Sequence, residues 1–121
     1  HIGATVATGD LTVGAGFMDG DYLTEARQMK GSYTAVGAKY VSGDITFNVG
    51  MTSADAVDEA LGTAATSAED SNDSIGASID YVIASGVTGT VAYKNQDSKN
   101  EATDATTSSG SSWYVGATVS F

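Results

Sequence analysis

Residues 75–94, IGASIDYVIASGVTGTVAYK, decide the fold. Apolar side chains occupy alternate positions on both sides of Ser85-Gly86, and the residues between them include Gly76, Ser78, Asp80, Thr88, Thr90 and Lys94. A side-chain period of two is typical of β-strands. A glycine between two such runs is typical of a tight hairpin turn, because glycine accepts a positive φ. The stretch therefore predicts two antiparallel strands, over 74–84 and 87–94.

The same alternation recurs along the rest of the chain. It predicts strands over 1–7, 11–18, 32–41, 45–52 and 112–121, with further tight turns at 8–10 and 42–44. Long polar connections are expected near 19–31, 53–73 and 96–111, and a short helix fits only within 54–68. Because short turns alternate with long connections, we expect an all-β, antiparallel up-and-down meander of about seven strands.

A triplet of Ile or Val followed by Gly-Ala supports a repeated hairpin unit. It occurs at residues 2–4, 36–38, 75–77 and 115–117. The first three copies lie in a strand that leads into a tight turn, and the fourth lies in the last predicted strand. The chain is thus read as one hairpin repeated with connections of varying length.

Composition excludes several classes of protein. The 121 residues include no Cys and no Pro, and the formal net charge is −10. Disulfide scaffolds and thiolate metal sites need Cys. A chain this acidic repels phosphate, so no nucleic-acid partner is expected. No apolar run is long enough for a transmembrane helix.

The distribution of charge favours a membrane barrel over a soluble sheet. A soluble sheet carries Lys and Glu on its water-facing side, but here Gly, Ser and Thr alternate with the apolar positions. Most acidic residues fall in the long connections, and no charge interrupts the apolar positions of any strand. A lipid-facing Lys or Arg costs about 2–4 kcal/mol at the membrane midplane. We therefore expect a transmembrane β-barrel in which the apolar positions face lipid.

Two sets of side chains have roles in such a barrel. Charged residues on the polar positions of strands would line the pore, where they tune ion selectivity. These pore-lining candidates are Lys39, Asp80 and Lys94. Aromatic residues near strand ends would form girdles at the membrane surfaces. The girdle candidates are Phe17, Tyr40, Tyr93, Trp113 and Phe121.

The last ten residues, SWYVGATVSF, resemble the C-terminal strand of bacterial outer-membrane barrels. Such strands end in an aromatic residue preceded by alternating apolar residues. The matching residues are Trp113, Val115, Ala117, Val119 and Phe121, although Ala117 is smaller than the pattern prefers. The chain as a whole is similar to the C-terminal part of Gram-negative general diffusion porins, especially the Gly-rich, acidic porins of alphaproteobacteria.

The resemblance implies a location, a function and partners. It implies a homotrimer in the bacterial outer membrane, in contact with lipid and lipopolysaccharide. It implies that the barrel assembly machinery reads the terminal strand, and that small hydrophilic solutes and ions diffuse through a water-filled channel without a cofactor. Bacterial single-chain barrels have an even number of strands, eight or more. Seven strands are then expected to be the last part of a barrel of about sixteen, whose constriction loop lies outside this segment.

The sequence also offers candidates for a metal site and for a catalytic histidine. The acidic run that contains Glu69, Asp70 and Asp73 offers oxygen ligands to a loosely bound Ca²⁺. It fails the EF-hand pattern, because Ile75 stands where glycine is required, so a solvated acidic loop is the simpler interpretation. The single histidine, His1, has no nucleophile motif to serve, and no enzymatic activity is expected.

Two alternatives remain open from the sequence. A soluble or cell-surface structural β-protein, such as an adhesin or surface-layer module, would explain the acidity and the repeats. It predicts a protein that stays in water without detergent. An outer-membrane barrel with an enzymatic or adhesive role would place its functional residues elsewhere.

Overall fold

Seven β-strands form one antiparallel sheet in a computed structural model of the chain. The structure describes the backbone of residues 1–23, 27–60, 68–100 and 105–121, and the side chains of 1–21, 30–57, 70–99 and 108–121. Each strand pairs with the next one along the chain, which confirms the predicted all-β meander. The strands are β1 (Ile2–Thr8), β2 (Leu11–Leu23), β3 (Arg27–Ser42), β4 (Ile45–Ala60), β5 (Ala68–Ala84), β6 (Val87–Asn100) and β7 (Ala105–Val119).

The three tight turns lie where the sequence predicts them. Two-residue loops join β1 to β2, β3 to β4 and β5 to β6. Each contains a glycine with positive φ: 56° at Gly9, 57° at Gly43 and 77° at Gly86. Other residues adopt this conformation only at a cost, so these glycines fix both the turns and the registers that follow from them.

The strands extend far beyond their predicted ends. Residues 19–23, 27–31, 53–60, 68–73, 96–100 and 105–111 lie in strands, so the predicted long connections were wrong over most of their length. The stretch that could hold a short helix, 54–68, lies in strands at both ends, because 54–60 belong to β4 and 68 to β5, while 61–67 lie outside the described residues. Strand pairing here is held by backbone hydrogen bonds, which need no apolar alternation in the side chains.

The registers collect the apolar positions of all seven strands on one side of the sheet, the apolar face. The alternate residues make up the polar face. Two rows of directly paired residues run across the apolar face. One row contains Val6, Val13, Ala38, Val49, Ala77, Tyr93 and Trp113, and the next contains Leu11, Tyr40, Phe47, Ile79, Val91 and Val115. Apolar residues fill this face over 11–17, 36–40, 45–51, 75–83, 87–93 and 113–119, a region that we call the apolar band.

The sheet is open and has no core of its own. β1 and β7 form its two edges. Among the side chains that the structure describes, none is buried. Over the same residues, no helix is long and apolar enough to cross a membrane.

Successive tight turns are displaced along the strands in a regular way. Leu11 pairs with Tyr40, and β3 continues two residues further before its own turn. Ile45 pairs with Tyr81, and β5 continues three residues to Ala84 through an irregularity in the register. At about 3.4 Å per residue and about 4.8 Å between strands, this stagger of about one residue per strand corresponds to a strand tilt of about 35°.

Each turn is also tied to the odd-numbered strand that follows it. A backbone N–H of that strand donates to a carbonyl oxygen of the turn, and the same contact occurs three times. The bonds are Val41 N to Asp10 O at 2.9 Å, Val82 N to Asp44 O at 2.9 Å and Ser120 N to Gly86 O at 2.8 Å. The stagger is therefore held by hydrogen bonds that repeat along the sheet.

Candidate functional site

In the middle of β2, β4 and β5, the apolar face is the more exposed face of the sheet, and the polar face is the more shielded one. In β5, Ile75 and Ile79 are exposed, whereas Gly76, Ser78 and Asp80 between and beside them are half-buried. The same alternation of exposed apolar and half-buried small or polar residues runs over 11–16 and 47–52. This arrangement is the reverse of a soluble protein, in which apolar side chains are the shielded ones.

A hydrogen-bonded cluster lies on the polar face across β4, β5 and β6. The registers place Asn48 opposite Ser78, and Asp80 opposite Thr90. The Asn48 amide donates to Asp80 Oδ2 at 2.9 Å and to Ser78 Oγ at 3.0 Å, and the Thr90 hydroxyl donates to Asp80 Oδ1 at 2.6 Å. Both carboxylate oxygens of Asp80 thus accept a bond from a neutral donor, which fixes the position of the charge.

The three predicted pore-lining residues all lie on this face. Lys39 in β3 is directly opposite Asn48, and Lys94 in β6 is opposite Gly76. Both lysines are exposed, while Asp80 is half-buried. The sheet therefore brings Lys39, Asp80 and Lys94 to one surface. Along β5, Asp80 lies two residues nearer the tight turn than the level of Lys39 and four residues nearer than the level of Lys94.

A row of glycines crosses the polar face beside this cluster. Gly14, Gly37, Gly50 and Gly76 are directly paired from β2 to β5, and Lys94 continues the row in β6. With no side chains along the row, the surface is low there. A depression of about 460 Å³ is lined by residues that include Gly50, Ser78 and Lys94.

Further hydrogen bonds lie on the polar face, on the side of the Asp80 cluster away from the tight turns. Thr52 and Ser74 share a bond of 2.8 Å between their hydroxyls, and the Asn72 amide donates to Ser98 Oγ at 2.6 Å. Sequence reasoning did not single out Asn48, Thr90 or these pairs. For the β5–β6 pairs, Thr90 with Asp80 and Asn72 with Ser98, the signal was available in the tight turn at Gly86, because a two-residue loop fixes which residues oppose each other. The pairs between β4 and β5 had no such signal, because no tight turn joins those strands.

The aromatic girdle candidates lie at two levels of the apolar face. The end of the apolar band away from the tight turns contains Phe17, Tyr93 and Trp113, whereas Tyr40 lies toward the tight turns. The rings of Tyr93 and Trp113 are 4.8 Å apart. Phe121 follows the end of β7, and its side chain is fully exposed.

The terminal strand presents its apolar residues on the outward side. Trp113, Val115, Ala117 and Val119 share the apolar face of β7, and Val115 is 77% exposed. β7 is also an edge of the sheet, so one of its sides is unpaired among the described residues.

Several carboxylates lie on the apolar face of the sheet, beyond the apolar band. Each of four strands carries an Asp on the apolar face at the end of the band away from the tight turns. These residues are Asp19 in β2, Asp55 in β4, Asp73 in β5 and Asp97 in β6. Asp73 lies directly opposite Asp97 and accepts a bond of 2.6 Å from the Ser53 hydroxyl. The acidic character of the chain is therefore displayed largely away from the polar face.

The expected Ca²⁺ ligands do not form a site within the described residues. Asp70 and Asp73 lie three positions apart in a continuous stretch of β5, so they are on opposite faces. The side chain of Glu69 lies outside the described residues. Over the part of the chain that the structure describes, no group of three or more acidic or histidine residues is arranged to hold a metal ion.

Comparison with known proteins gives no assignment. No protein-family model matches the chain, and no curated protein or solved structure is significantly similar to it.

Proposed function

We propose that this chain forms part of the wall of a water-filled channel in a bacterial outer membrane, through which small hydrophilic solutes and ions diffuse passively. The observation that carries the proposal is the reversed exposure of the two faces. Over 11–16, 47–52 and 75–80 the apolar positions are exposed and the polar or small residues between them are half-buried, and no described side chain is buried.

The free energy of the apolar face supports a lipid environment. Val49 and Ile79, at the centre of the apolar band, are 50% and 48% exposed. A continuous apolar patch across seven strands would be an aggregation hazard in water, whereas hydrocarbon accepts it without cost. In β5 the band extends from Ile75 to Ile83, which at the inferred tilt spans about 22 Å, close to the apolar band of about 25 Å in outer-membrane barrels.

The stagger of the sheet supports a barrel wall. Closing a sheet requires tilted strands and a matching shear, and outer-membrane barrels have tilts of about 35–45°. The tight turns give about 35° without reference to hydrophobicity. The free edges at β1 and β7 would expose backbone groups to hydrocarbon, which is costly. We therefore infer that further strands complete the barrel.

The polar face would then line the lumen. Its hydrogen-bonded side chains and glycines offer solutes a hydrated surface with fixed charges at Asp80, Lys39 and Lys94. Diffusion through such a lumen needs no bond-making step, so the proposal assigns no catalytic residue. The chemistry that the wall supplies is water access and a local electric field.

The outward face suggests the partners. Lipid chains would contact the apolar band, and the rings of Phe17, Trp113 and Tyr40 would lie near the two membrane surfaces. The acidic positions beyond the band would lie at the level of lipopolysaccharide. We also propose that β7 is the strand that the barrel assembly machinery recognises, and that the channel is a homotrimer.

Conductance across a planar lipid bilayer tests the proposed function. Addition of the assembled, detergent-purified protein is expected to raise the current in discrete steps that stay open, because each insertion adds a permanent aqueous path. Heat-denatured protein is the control and should give no steps. A protein that remains in the aqueous phase without detergent and gives no conductance would contradict the proposal and favour a surface structural role.

A further inference from the structure

We propose that the wall formed by β1–β7 favours the passage of small anions, such as chloride and short carboxylates, although the chain as a whole carries a net charge of −10. The inference rests on the proposed channel function and adds the class of solute that this wall admits best. It comes from where the charges lie on the sheet and how far each one reaches from the wall.

Most of the carboxylates among the described side chains lie away from the polar face. Among the described side chains, Asp80 is the only carboxylate on that face level with the apolar band. Asp70 lies on the polar face, but beyond the band and near a long connection. The other described carboxylates are Asp10 and Asp44 in the tight turns, and Asp19, Asp21, Asp55, Asp73 and Asp97 on the outward side.

The carboxylates beyond the band act weakly on the lumen at the level of Asp80. They are separated from it by several residues of strand, at about 3.4 Å per residue. Ions in the channel screen charges over a Debye length of about 10 Å at 0.1 M salt. The field that a solute meets next to the wall is therefore set mainly by Lys39, Lys94 and Asp80.

The two lysines reach further into the lumen than the carboxylate does. Asp80 is half-buried, and its two oxygens accept bonds of 2.9 Å from Asn48 and 2.6 Å from Thr90. Lys39 and Lys94 are exposed. A lysine carries its ammonium group on a flexible four-carbon stem, so its charge extends well above a short Asp that is held against the wall.

The glycine row leaves the space between the lysines open. Gly37, Gly50 and Gly76 lie side by side on β3, β4 and β5, and Lys94 continues their row. Lys39 is two positions from Gly37 on the same face of β3. An anion moving along this low surface passes between two ammonium groups, and the fixed charge of the wall at this level is one positive in excess.

Reversal potentials in a KCl gradient test the inference on the assembled protein in a planar bilayer. The variant Lys39→Gln/Lys94→Gln removes two positive charges from the polar face. A matched control, Lys30→Gln/Lys99→Gln, removes two exposed lysines from the outward side beyond the apolar band. Both double variants change the net charge of the chain by the same amount.

We expect the ratio of chloride to potassium permeability to fall about two- to threefold for each lysine removed from the polar face, as for unit charges about 6–10 Å apart in water. The control should keep the wild-type ratio, and Asp80→Asn should raise the ratio. Unchanged ratios in an open channel of the Lys39→Gln/Lys94→Gln variant would overturn the inference and leave the channel function intact. Absence of conductance in the wild type would overturn both.

Discussion

Replacement of Val91 by Lys is expected to destabilise the protein in a membrane by about 2–4 kcal/mol, the cost of a lysine facing lipid near the midplane. Val91 lies in the middle of the apolar band, between Ile79 and Val115, and is 46% exposed. The free energy of unfolding in lipid vesicles can be measured by urea titration, with loss of heat-modifiable electrophoretic mobility as the readout.

The matched control for this experiment is the next residue. Ala92 lies opposite Ser78 on the polar face, so Ala92→Lys should lower the free energy of unfolding by less than about 1 kcal/mol, because its ammonium group stays in water. Both variants add the same residue to the same strand. Equal losses of stability, or a larger loss for Ala92→Lys, would contradict the assignment of the two faces.

Replacement of Gly86 by Ala is expected to cost about 2 kcal/mol. Gly86 has a φ of 77°, where an alanine pays about 1 kcal/mol in a turn. A Cβ atom at this position would also overlap the carbonyl oxygen of Ser120. That contact would displace the bond from Ser120 N to Gly86 O, and a hydrogen bond contributes about 1 kcal/mol. The same urea titration measures the loss.

Gly9→Ala separates the two contributions. Gly9 has a φ of 56°, but no atom lies within 4 Å of the Cβ position. This variant should therefore lose only the conformational part, about 1 kcal/mol. In Gly86→Ala, the amide hydrogen of Ser120 should also exchange faster than in the wild type. Equal stabilities of the two variants, with unchanged exchange at Ser120, would show that the turn does not hold the end of β7.

The central part of each strand was predictable from sequence, because alternation is strong where the two faces meet different environments. Ile75, Ala77 and Ile79 alternate with Gly76 and Ser78, and these positions lie in β5 as expected. Beyond the apolar band the alternation disappears. Residues 70–73 carry polar side chains on both faces, so the sequence indicated a loop where the backbone continues as a strand.

The charged residues of the candidate site were predictable, but their environment was not. Strand parity was enough to select Lys39, Asp80 and Lys94 as members of one face. The bonds from Asn48 and Thr90 to Asp80 depend on the register between strands, and so does the glycine row. Parity within one strand carries no information on register. The tight turns at Gly43 and Gly86 fix the registers of β3 with β4 and of β5 with β6, but no tight turn fixes the register of β4 with β5, on which the bond from Asn48 to Asp80 depends.

The sheet does not bring the candidate Ca²⁺ ligands Asp70 and Asp73 together, for a related reason. Closely spaced acids suggest a shared ligand when the segment is taken as a loop. Once the segment is a strand, Asp70 and Asp73 point to opposite sides of the sheet. The predicted loop backbone was wrong for these residues, and a shared metal site would have depended on it.

In a membrane, we expect the apolar face of this sheet to meet lipid and the polar face to meet water. Nitroxide labels at cysteines introduced singly from 88 to 93, in a chain that contains no cysteine of its own, test it most directly in lipid vesicles. We expect oxygen, which concentrates in lipid, to relax the labels at 89, 91 and 93. We expect a water-soluble nickel complex to relax the labels at 88, 90 and 92. If all six labels responded to the nickel complex, or if those at 89, 91 and 93 responded to neither agent, the apolar face would not lie against lipid.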